Sequence, residues 1–219
     1  ILGSNQAEAE TEFQDLLDCN VDSIASAENT RSMLLSGDFG TGKSHMLEYF
    51  EHLALSQNYV CSRIVVSKET PFYNLDKVFK AAIDNGVVPG LVGQMVEELA
   101  VTLKPDSNEY VKFFQWANSE DSGLHPIFPA TLMAHERSQD LDVLSKLEGF
   151  WSGDRIKMAD VKDPLRAVGQ LSNYQFKAPK ARDLPPQRLR FVLELIKAAG
   201  YKGWVVLIDE LELIGSYSI

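Results

Sequence analysis

The chain has 219 residues, of which 45% are hydrophobic and 24% charged, and its formal net charge is −10. This length and composition allow one sizeable buried core, and the negative charge argues against nucleic-acid binding over the whole surface. No run approaches the roughly 18 apolar residues of a membrane span and no signal-peptide pattern opens the chain, so we expect a soluble, cytoplasmic protein without membrane contact.

The first part of the chain is predicted to contain a helix, a connection and a strand. Residues 4–17 have the apolar spacing of a helix, and residues 21–31 are polar and turn-rich. Residues 32–36 form a short apolar run, which is typical of a buried strand. This strand would lead directly into the glycine-rich segment that follows.

A motif of the form G-x-x-x-x-G-K-[ST] follows the predicted strand and comprises Gly37, Asp38, Phe39, Gly40, Thr41, Gly42, Lys43 and Ser44. The pattern is that of a Walker A phosphate loop, in which consecutive backbone N–H groups at a helix N-terminus bind phosphate. Its glycines permit a tight turn and a close approach of the backbone to the phosphates. Lys43 is then expected to reach the β- and γ-phosphates, and the Ser44 hydroxyl to ligate Mg²⁺. A glycine-rich β-turn without a ligand is the simpler alternative.

A helix and a second strand complete a β-α-β unit. Residues 44–55 carry apolar side chains at helical spacing, and residues 59–66 are expected to form the second strand of a parallel sheet. Cys61 lies within this strand, where a buried free thiol is expected rather than a disulfide. His45 and His52 could share one face of the helix, but no third metal ligand is evident in the sequence.

Residues 67–184 show no convincing strand and consist of helix-like blocks separated by proline and glycine. We therefore predict a large, mostly helical insertion before the chain returns to the sheet. Its aromatic side chains are expected to form its own core, with a groove that stacks nucleic-acid bases as the alternative. These aromatic residues are Phe113, Phe114, Trp116, Phe128, Phe150 and Trp151.

A basic stretch stands out from the acidic composition, with Asp183 as the one acidic residue inside it. Its basic residues are Lys177, Lys180, Arg182, Arg188 and Arg190. Such a run is most simply a solvated face of the protein, and contact with a phosphate or a partner is the alternative interpretation.

The last predicted elements lead back to the sheet. The proline pair at residues 185–186 favours the start of a helix, and Gly200 favours its end. Residues 204–208 are expected to form a third buried strand, which is followed by Asp209 and Glu210. An apolar strand that ends in Asp-Glu matches a Walker B element.

Because the carboxyl ends of parallel strands face one crevice in an open α/β sheet, we expect Asp209 to lie opposite Ser44. Asp209 would then hold Mg²⁺ through its water shell, and Glu210 would orient and deprotonate the water that attacks the γ-phosphate. The second carboxylate favours a hydrolytic ATPase over a nucleotide kinase. Glu69, just beyond the second strand, is an alternative base, although a carboxylate that caps the turn before Pro71 is its simpler interpretation.

Together these motifs resemble a family of P-loop ATPases associated with BREX-type phage-defence islands, the BrxD-like ATP-binding proteins. The resemblance lies in residues 2–6, 37–45, 65–71, 199–203 and 208–212. It implies an AAA+-like ATPase of bacteria or archaea that binds ATP and Mg²⁺ and acts in anti-phage defence with DNA or other defence proteins. His45 would then belong to the nucleotide site, and the choice of ATP over GTP rests on the resemblance.

The family pattern also implies a further strand after the Walker B element, placed between it and the phosphate-loop strand and carrying a polar sensor residue. Arginines that reach the γ-phosphate of a neighbouring subunit are implied as well, so that a homo-oligomer would supply an arginine in trans. The chain stops at Ile219, and on this interpretation the C-terminal part of the sheet is missing. We therefore expect the fragment to bind nucleotide poorly or to hydrolyse it slowly by itself.

We predict an α/β fold of the P-loop NTPase type (AAA+/ASCE-like), with a parallel sheet flanked by helices. Residues 1–67 would form the N-terminal helix and the first half of this core, residues 68–184 the insertion, and residues 185–219 the returning helix and the Walker B strand. The leading hypothesis is an ATP-hydrolysing switch or motor in which Lys43 and Mg²⁺ neutralise charge and Glu210 aligns water. A nucleotide-sensing module that recruits DNA or protein, and a P-loop kinase, are the alternatives.

Overall fold

The computed structural model describes residues 4–22, 32–38 and 40–216. Within these ranges the chain forms nine α-helices and three β-strands, so the predicted α/β class is confirmed. In chain order they are α1 (Ser4–Asp22), α2 (Lys43–Ser56), β1 (Val60–Val65), α3 (Leu75–Asp84), β2 (Gly86–Val87), α4 (Met95–Thr102), α5 (Asn108–Ala117), α6 (Ile127–Arg137), α7 (Leu141–Trp151), α8 (Met158–Ala167), α9 (Leu184–Ala198) and β3 (Trp204–Asp209). None of the described helices is long and apolar enough to cross a membrane.

The three strands form one small mixed sheet in the order β2-β1-β3. β1 and β3 run parallel along their whole length, from the pair Val60–Trp204 to the pair Val65–Asp209. β2 has two residues and is antiparallel to β1. The predictions of a purely parallel sheet, and of no strand in residues 67–184, are therefore wrong for β2. Two residues are too few to show the alternation of apolar and polar side chains on which strand prediction rests.

Residues 32–36 are extended but pair with no strand among the described residues, so the predicted first strand is not formed. Met33 and Leu35 are half-buried and Leu34 is 77% exposed, which is the side-chain alternation of a strand. A cleft of about 840 Å³ lies between this segment and β3. Two paired strands have their backbones about 4.8 Å apart. None of the described strands makes such a pair with residues 32–36. Most of the predicted connection over residues 21–31 lies outside the described residues.

The elements that carry long apolar patterns form where they are predicted. The predicted strands at residues 59–66 and 204–208 are confirmed as β1 and β3, and the helices at the start of the chain and after the glycine-rich loop as α1 and α2. α9 begins with two prolines in its first turn, which lack the N–H that a first turn leaves without a partner. It ends before Gly200, whose φ of +92° is a conformation that favours glycine.

The two faces of the sheet meet different hydrophobic cores, because side chains alternate along each strand. Cys61 and Leu207 belong to a small core that α1 and α2 complete, in which the rings of Phe13 and Phe50 stack with their centroids 4.2 Å apart. Val60, on the opposite face, belongs to the large core of the helical region. Cys61 is fully buried, as predicted, and burial raises the pKa of its thiol to about 12.

The large core is rich in aromatic side chains, as predicted for the helical region. Phe191 on α9 lies at its centre, with ring centroids 5.2–5.3 Å from those of Phe113, Phe128 and Trp151. Phe150 is buried beside Phe128, and the remaining two predicted aromatic residues are half-buried. The division of the chain into residues 1–67, 68–184 and 185–219 stays a prediction.

Arg188 is buried rather than solvated, so the prediction of a basic surface run is wrong for this residue. It lies on α9 and is 3% exposed. Its guanidinium donates to the backbone oxygen of Asp154 at 2.6 Å, lies 3.7 Å from the Asp76 carboxylate and stacks over the Phe150 ring. Burial lowers the pKa of this guanidinium, and the two aspartates oppose that shift. The other basic residues of the run are exposed.

Candidate functional site

The predicted phosphate loop turns sharply into α2. Gly40 and Gly42 have φ values of +80° and +89°, in the left-handed region that glycine adopts without strain. The loop is closed by a hydrogen bond from the Thr41 N–H to the Asp38 oxygen at 3.3 Å. The Met46 N–H donates to the Gly42 oxygen at 2.9 Å and so begins the helix. The first backbone N–H groups of α2 are therefore free of helical partners, which is the arrangement that binds anions.

Side chains within the loop make contacts with its own backbone. The Lys43 ammonium donates to the backbone oxygens of Gly37 and Asp38, at 2.8 and 3.3 Å. The Thr41 hydroxyl donates to the Asp38 oxygen at 2.8 Å, and a Cβ at position 37 would lie 2.7 Å from this hydroxyl. Position 37 therefore requires glycine. The predicted site residue Phe39 lies outside the described residues.

Asp209 ends β3 and is nearly buried. Its Oδ2 accepts a hydrogen bond from Arg63 Nη2 at 2.8 Å, and its Oδ1 accepts one from the Glu210 N–H at 3.0 Å. Burial raises the pKa of the Asp209 carboxyl, but Arg63, the Ser44 hydroxyl and the Glu210 N–H together lower it by more, so the net shift is downward. Ser44 is therefore close enough to Asp209 to act on its charge, which brings the start of α2 near the end of β3.

Glu210 has an unusual backbone conformation. Its φ is +59°, in the left-handed region that residues other than glycine seldom adopt, and its side chain is exposed. Strain of this kind is concentrated at functional sites, where the surrounding structure holds it. Glu210 lines the cleft between residues 32–37 and β3, together with Lys43 and Asp209. The predicted site residues Lys43, Asp209 and Glu210, which come from two distant parts of the sequence, thus line one cleft.

Glu69 lies in a different environment. Its carboxylate is exposed, and its own backbone N–H and the Ser67 hydroxyl lower its pKa. Ser67 Oγ accepts a hydrogen bond from the Thr70 N–H at 3.1 Å, in the turn before Pro71. Glu69 is not among the residues that line the cleft, whereas Glu210 is.

Arg63 is the member of this site that the sequence reasoning missed. It lies on β1 in register with Leu207, two residues before the pair Val65–Asp209. Parallel neighbours in register point to the same side, so Arg63 and Asp209 share the face that α2 covers. A sequence signal was present: a charged residue within an otherwise apolar strand requires an opposite charge nearby.

The donor set at the start of α2 fits Mg²⁺. The Ser44 hydroxyl and the Asp209 carboxylate are oxygen ligands of the kind that this ion prefers, and they lie near each other, since the hydroxyl lowers the pKa of the Asp209 carboxyl. The described residues include no group of three or more His, Cys, Asp or Glu side chains that could hold a metal by themselves. Mg²⁺ needs no such group when substrate phosphates and waters complete its shell. His45 is exposed, with its ring 3.8 Å from the Glu48 carboxylate.

The fold and the site together define an α/β protein in which a glycine-rich loop opens a helix and lies beside a strand that ends in two acidic residues. Residues 9–89 match the family of the BREX system ATP-binding protein BrxC/D, so the predicted resemblance is confirmed over this segment. The matched segment contains the loop, α2, β1 and Arg63, and it ends before β3. The description of this family names ATP binding and a BREX system. Searches of curated proteins and of solved structures found no match.

Proposed function

We propose that this chain is a P-loop switch or motor domain that binds ATP with Mg²⁺ and hydrolyses it in a BREX-type defence system. One observation carries the proposal. Lys43, Asp209 and Glu210 line one cleft, and the nearby Ser44 hydroxyl lowers the pKa of the Asp209 carboxyl. A phosphate-binding loop, a cation-binding pair and a base would thus act on one triphosphate.

The loop would bind the phosphates through its backbone. The N–H groups at the start of α2 would donate to phosphate oxygens, since the α-helix provides no partners for them. Lys43 would exchange the backbone oxygens of Gly37 and Asp38 for the β- and γ-phosphates, because an anionic oxygen is a stronger acceptor than a carbonyl. Gly37 to His45 would therefore form the nucleotide site.

Ser44 and Asp209 would hold the cation, whose contribution is to neutralise the phosphate charge during transfer. Ser44 would offer its hydroxyl oxygen directly, and Asp209 would accept hydrogen bonds from coordinated waters. The lowered pKa of Asp209 keeps this carboxylate ionised at neutral pH, as the role requires.

Glu210 would orient the attacking water and take its proton. Its exposed carboxylate lies at the cleft, and its left-handed backbone directs the chain away from β3 immediately after Asp209. Transfer of the proton from water to the carboxylate as the new P–O bond forms is general base catalysis. A carboxylate at this cleft supports the proposal of a hydrolytic ATPase over that of a kinase.

The finer fold assignment is part of this proposal. A P-loop NTPase of the AAA+ type has a strand before its phosphate loop, and residues 32–36 have the side-chain alternation of that strand. The cleft between them and β3 lies where the family pattern inserts another strand. Residues 68–184 would be the helical insertion that responds to the nucleotide.

Partners and location follow from the family rather than from the site. We propose that the chain acts in the cytoplasm with DNA or other defence proteins, and that a neighbouring copy supplies an arginine to the γ-phosphate. These partners would explain a slow reaction in the isolated chain.

A nucleotide-sensing module with little turnover is the second candidate. It is favoured by the contacts of Lys43 with its own loop and of Asp209 with Arg63, which engage both groups within the protein itself. Phosphate release measured with and without DNA separates the candidates, because only a switch or motor ATPase should turn over at a rate that rises with its partner.

Nucleotide binding is the first test. Isothermal titration calorimetry with ATP and Mg²⁺ should give binding for the unaltered chain and at least about tenfold weaker binding for Lys43→Ala, because a charged hydrogen bond to phosphate is lost. Lys112→Ala removes an exposed lysine on α5 and should bind as the unaltered chain does. Equal affinities for all three chains, or none, would contradict the proposal.

A further inference from the structure

We infer that Arg63 forms an ion pair with Asp209 that must break before the site can bind Mg²⁺. Arg63 thereby sets the Mg²⁺ concentration at which the site takes up nucleotide. The inference rests on the proposed function, since it concerns the same carboxylate. It adds a regulatory residue on β1, a strand outside both predicted motifs.

The register of the sheet brings Arg63 to Asp209. Arg63 is paired with Leu207 and lies diagonally across from Asp209 on the face that α2 covers. Arg63 Nη2 and Asp209 Oδ2 are 2.8 Å apart, and the side chains are 29% and 11% exposed. A contact this short, between side chains this little exposed, is stronger than an ion pair on the open surface.

The contact uses the group that a cation needs. Asp209 Oδ2 accepts from Arg63, and Oδ1 accepts from the Glu210 N–H, so both oxygens are engaged before any ion arrives. Waters around Mg²⁺ need one of these oxygens as an acceptor. The backbone N–H of Glu210 is held by the turn after β3, whereas a side-chain contact can rotate away. The contact with Arg63 is therefore the one that breaks when the cation binds.

The geometry of the guanidinium makes the contact breakable. Arg63 bonds Asp209 through one nitrogen rather than through the two parallel bonds of an arginine fork. Its Nε is buried and has no hydrogen-bond partner within the described part of the chain. A guanidinium that is incompletely satisfied in this position loses little by turning towards another acceptor, such as a nucleotide phosphate.

Arg63 affects cation binding through its charge. Its positive charge repels Mg²⁺ and neutralises Asp209. Binding should therefore require the cation and the nucleotide together. A nucleotide phosphate would become the new partner of Arg63, and Asp209 would then be free to hold Mg²⁺. Mg²⁺ alone should bind weakly.

The test is a Mg²⁺ titration of nucleotide binding, with a fluorescent ATP analogue at fixed concentration and anisotropy as the readout. In Arg63→Met the Mg²⁺ concentration for half-maximal binding should fall at least about fivefold, the effect of removing one unit charge a few ångströms away in a largely aqueous surrounding. Arg63→Lys keeps the charge and should stay near the unaltered chain. Arg166→Met removes an arginine from an exposed pair on α8 and should leave the midpoint unchanged.

The outcomes separate this inference from the proposed function. If the unaltered chain binds the analogue in a Mg²⁺-dependent way and Arg63→Met has the same or a higher midpoint, the inference on Arg63 is wrong and the proposed site stands. If binding by the unaltered chain ignores Mg²⁺, both are wrong. Circular dichroism checks that Arg63→Met is folded, and Arg63→Gln, which retains a polar group without the charge, repeats the measurement if it is not.

Discussion

The hydroxyl of Ser44, in the first turn of α2, lowers the pKa of the carboxyl of Asp209, the last residue of β3. The two residues are far apart in the sequence, and each belongs to a motif that is weak by itself. Their proximity gives the motifs a common centre. It also means that one cation at this point would touch both halves of the proposed nucleotide site.

Ser44→Ala should weaken Mg²⁺-dependent nucleotide binding about tenfold, because one oxygen ligand of the cation is lost. Titration calorimetry with ATP, in Mg²⁺ and in EDTA, measures the effect. The difference should be confined to the Mg²⁺ series. Ser56→Ala, at the other end of α2, is the matched control and should bind normally.

Glu210→Gln should abolish phosphate release while nucleotide binding stays nearly intact. Loss of a general base costs on the order of 10² to 10⁴ in rate, and the amide cannot accept the proton of water. Glu69→Gln is the matched control and should retain turnover, because Glu69 is not among the residues that line the cleft. Full turnover by Glu210→Gln, or loss of turnover only in Glu69→Gln, would reverse the assignment.

Asp209 should stabilise the folded chain in a pH-dependent way. Its pKa is lower in the folded chain than the value of about 3.9 expected when unfolded, so its contribution is complete above that value. The contribution is lost as the pH falls through the lowered folded pKa. The stability difference between the unaltered chain and Asp209→Asn, measured by urea unfolding, should therefore shrink between pH 7 and pH 3. A difference that grows on acidification would contradict the sign of the shift.

Phe13→Ala should destabilise the chain by about 3–5 kcal/mol, the usual cost of removing a buried phenylalanine. Phe13 is 6% exposed and stacks on Phe50, and this contact attaches α1 to the helix that carries the phosphate loop. Urea unfolding measures the loss. Tyr73→Ala truncates an aromatic side chain that is 62% exposed, and it should change the stability by less than about 0.5 kcal/mol.

Arg188→Ala should destabilise the chain by about 2–3 kcal/mol, whereas Arg190→Ala, two residues along the same helix, should have little effect. Arg188 is buried and bonds the backbone of Asp154, so its removal leaves an acceptor without its partner and takes away packing against Phe150. Arg190 is exposed. Equal effects of the two substitutions in urea unfolding would indicate that the buried contacts contribute nothing.

Much of the site could be predicted from residue types and spacing. Three local patterns were sufficient: the glycines at positions 40 and 42, the lysine after them, and the Asp-Glu pair after an apolar run. In the structure they lie in the turn before α2, at the start of α2 and at the end of β3, as such patterns predict. Arg63 could not be assigned in the same way. Its role depends on the register between β1 and β3, and a shift of one residue would turn it away from Asp209.

The amino-acid sequence by itself determined α1, α2, α9, β1 and β3, because apolar periodicity and helix-end residues act within a few residues of each other. Tertiary structure alone decided that residues 32–36 pair with no strand in the described part of the chain, that Arg188 is buried and that Arg63 neutralises Asp209. Each of these depends on which backbone or charge lies beside a residue after the chain has folded. Pairing between distant segments is set by the packing of whole elements, and no local pattern records it.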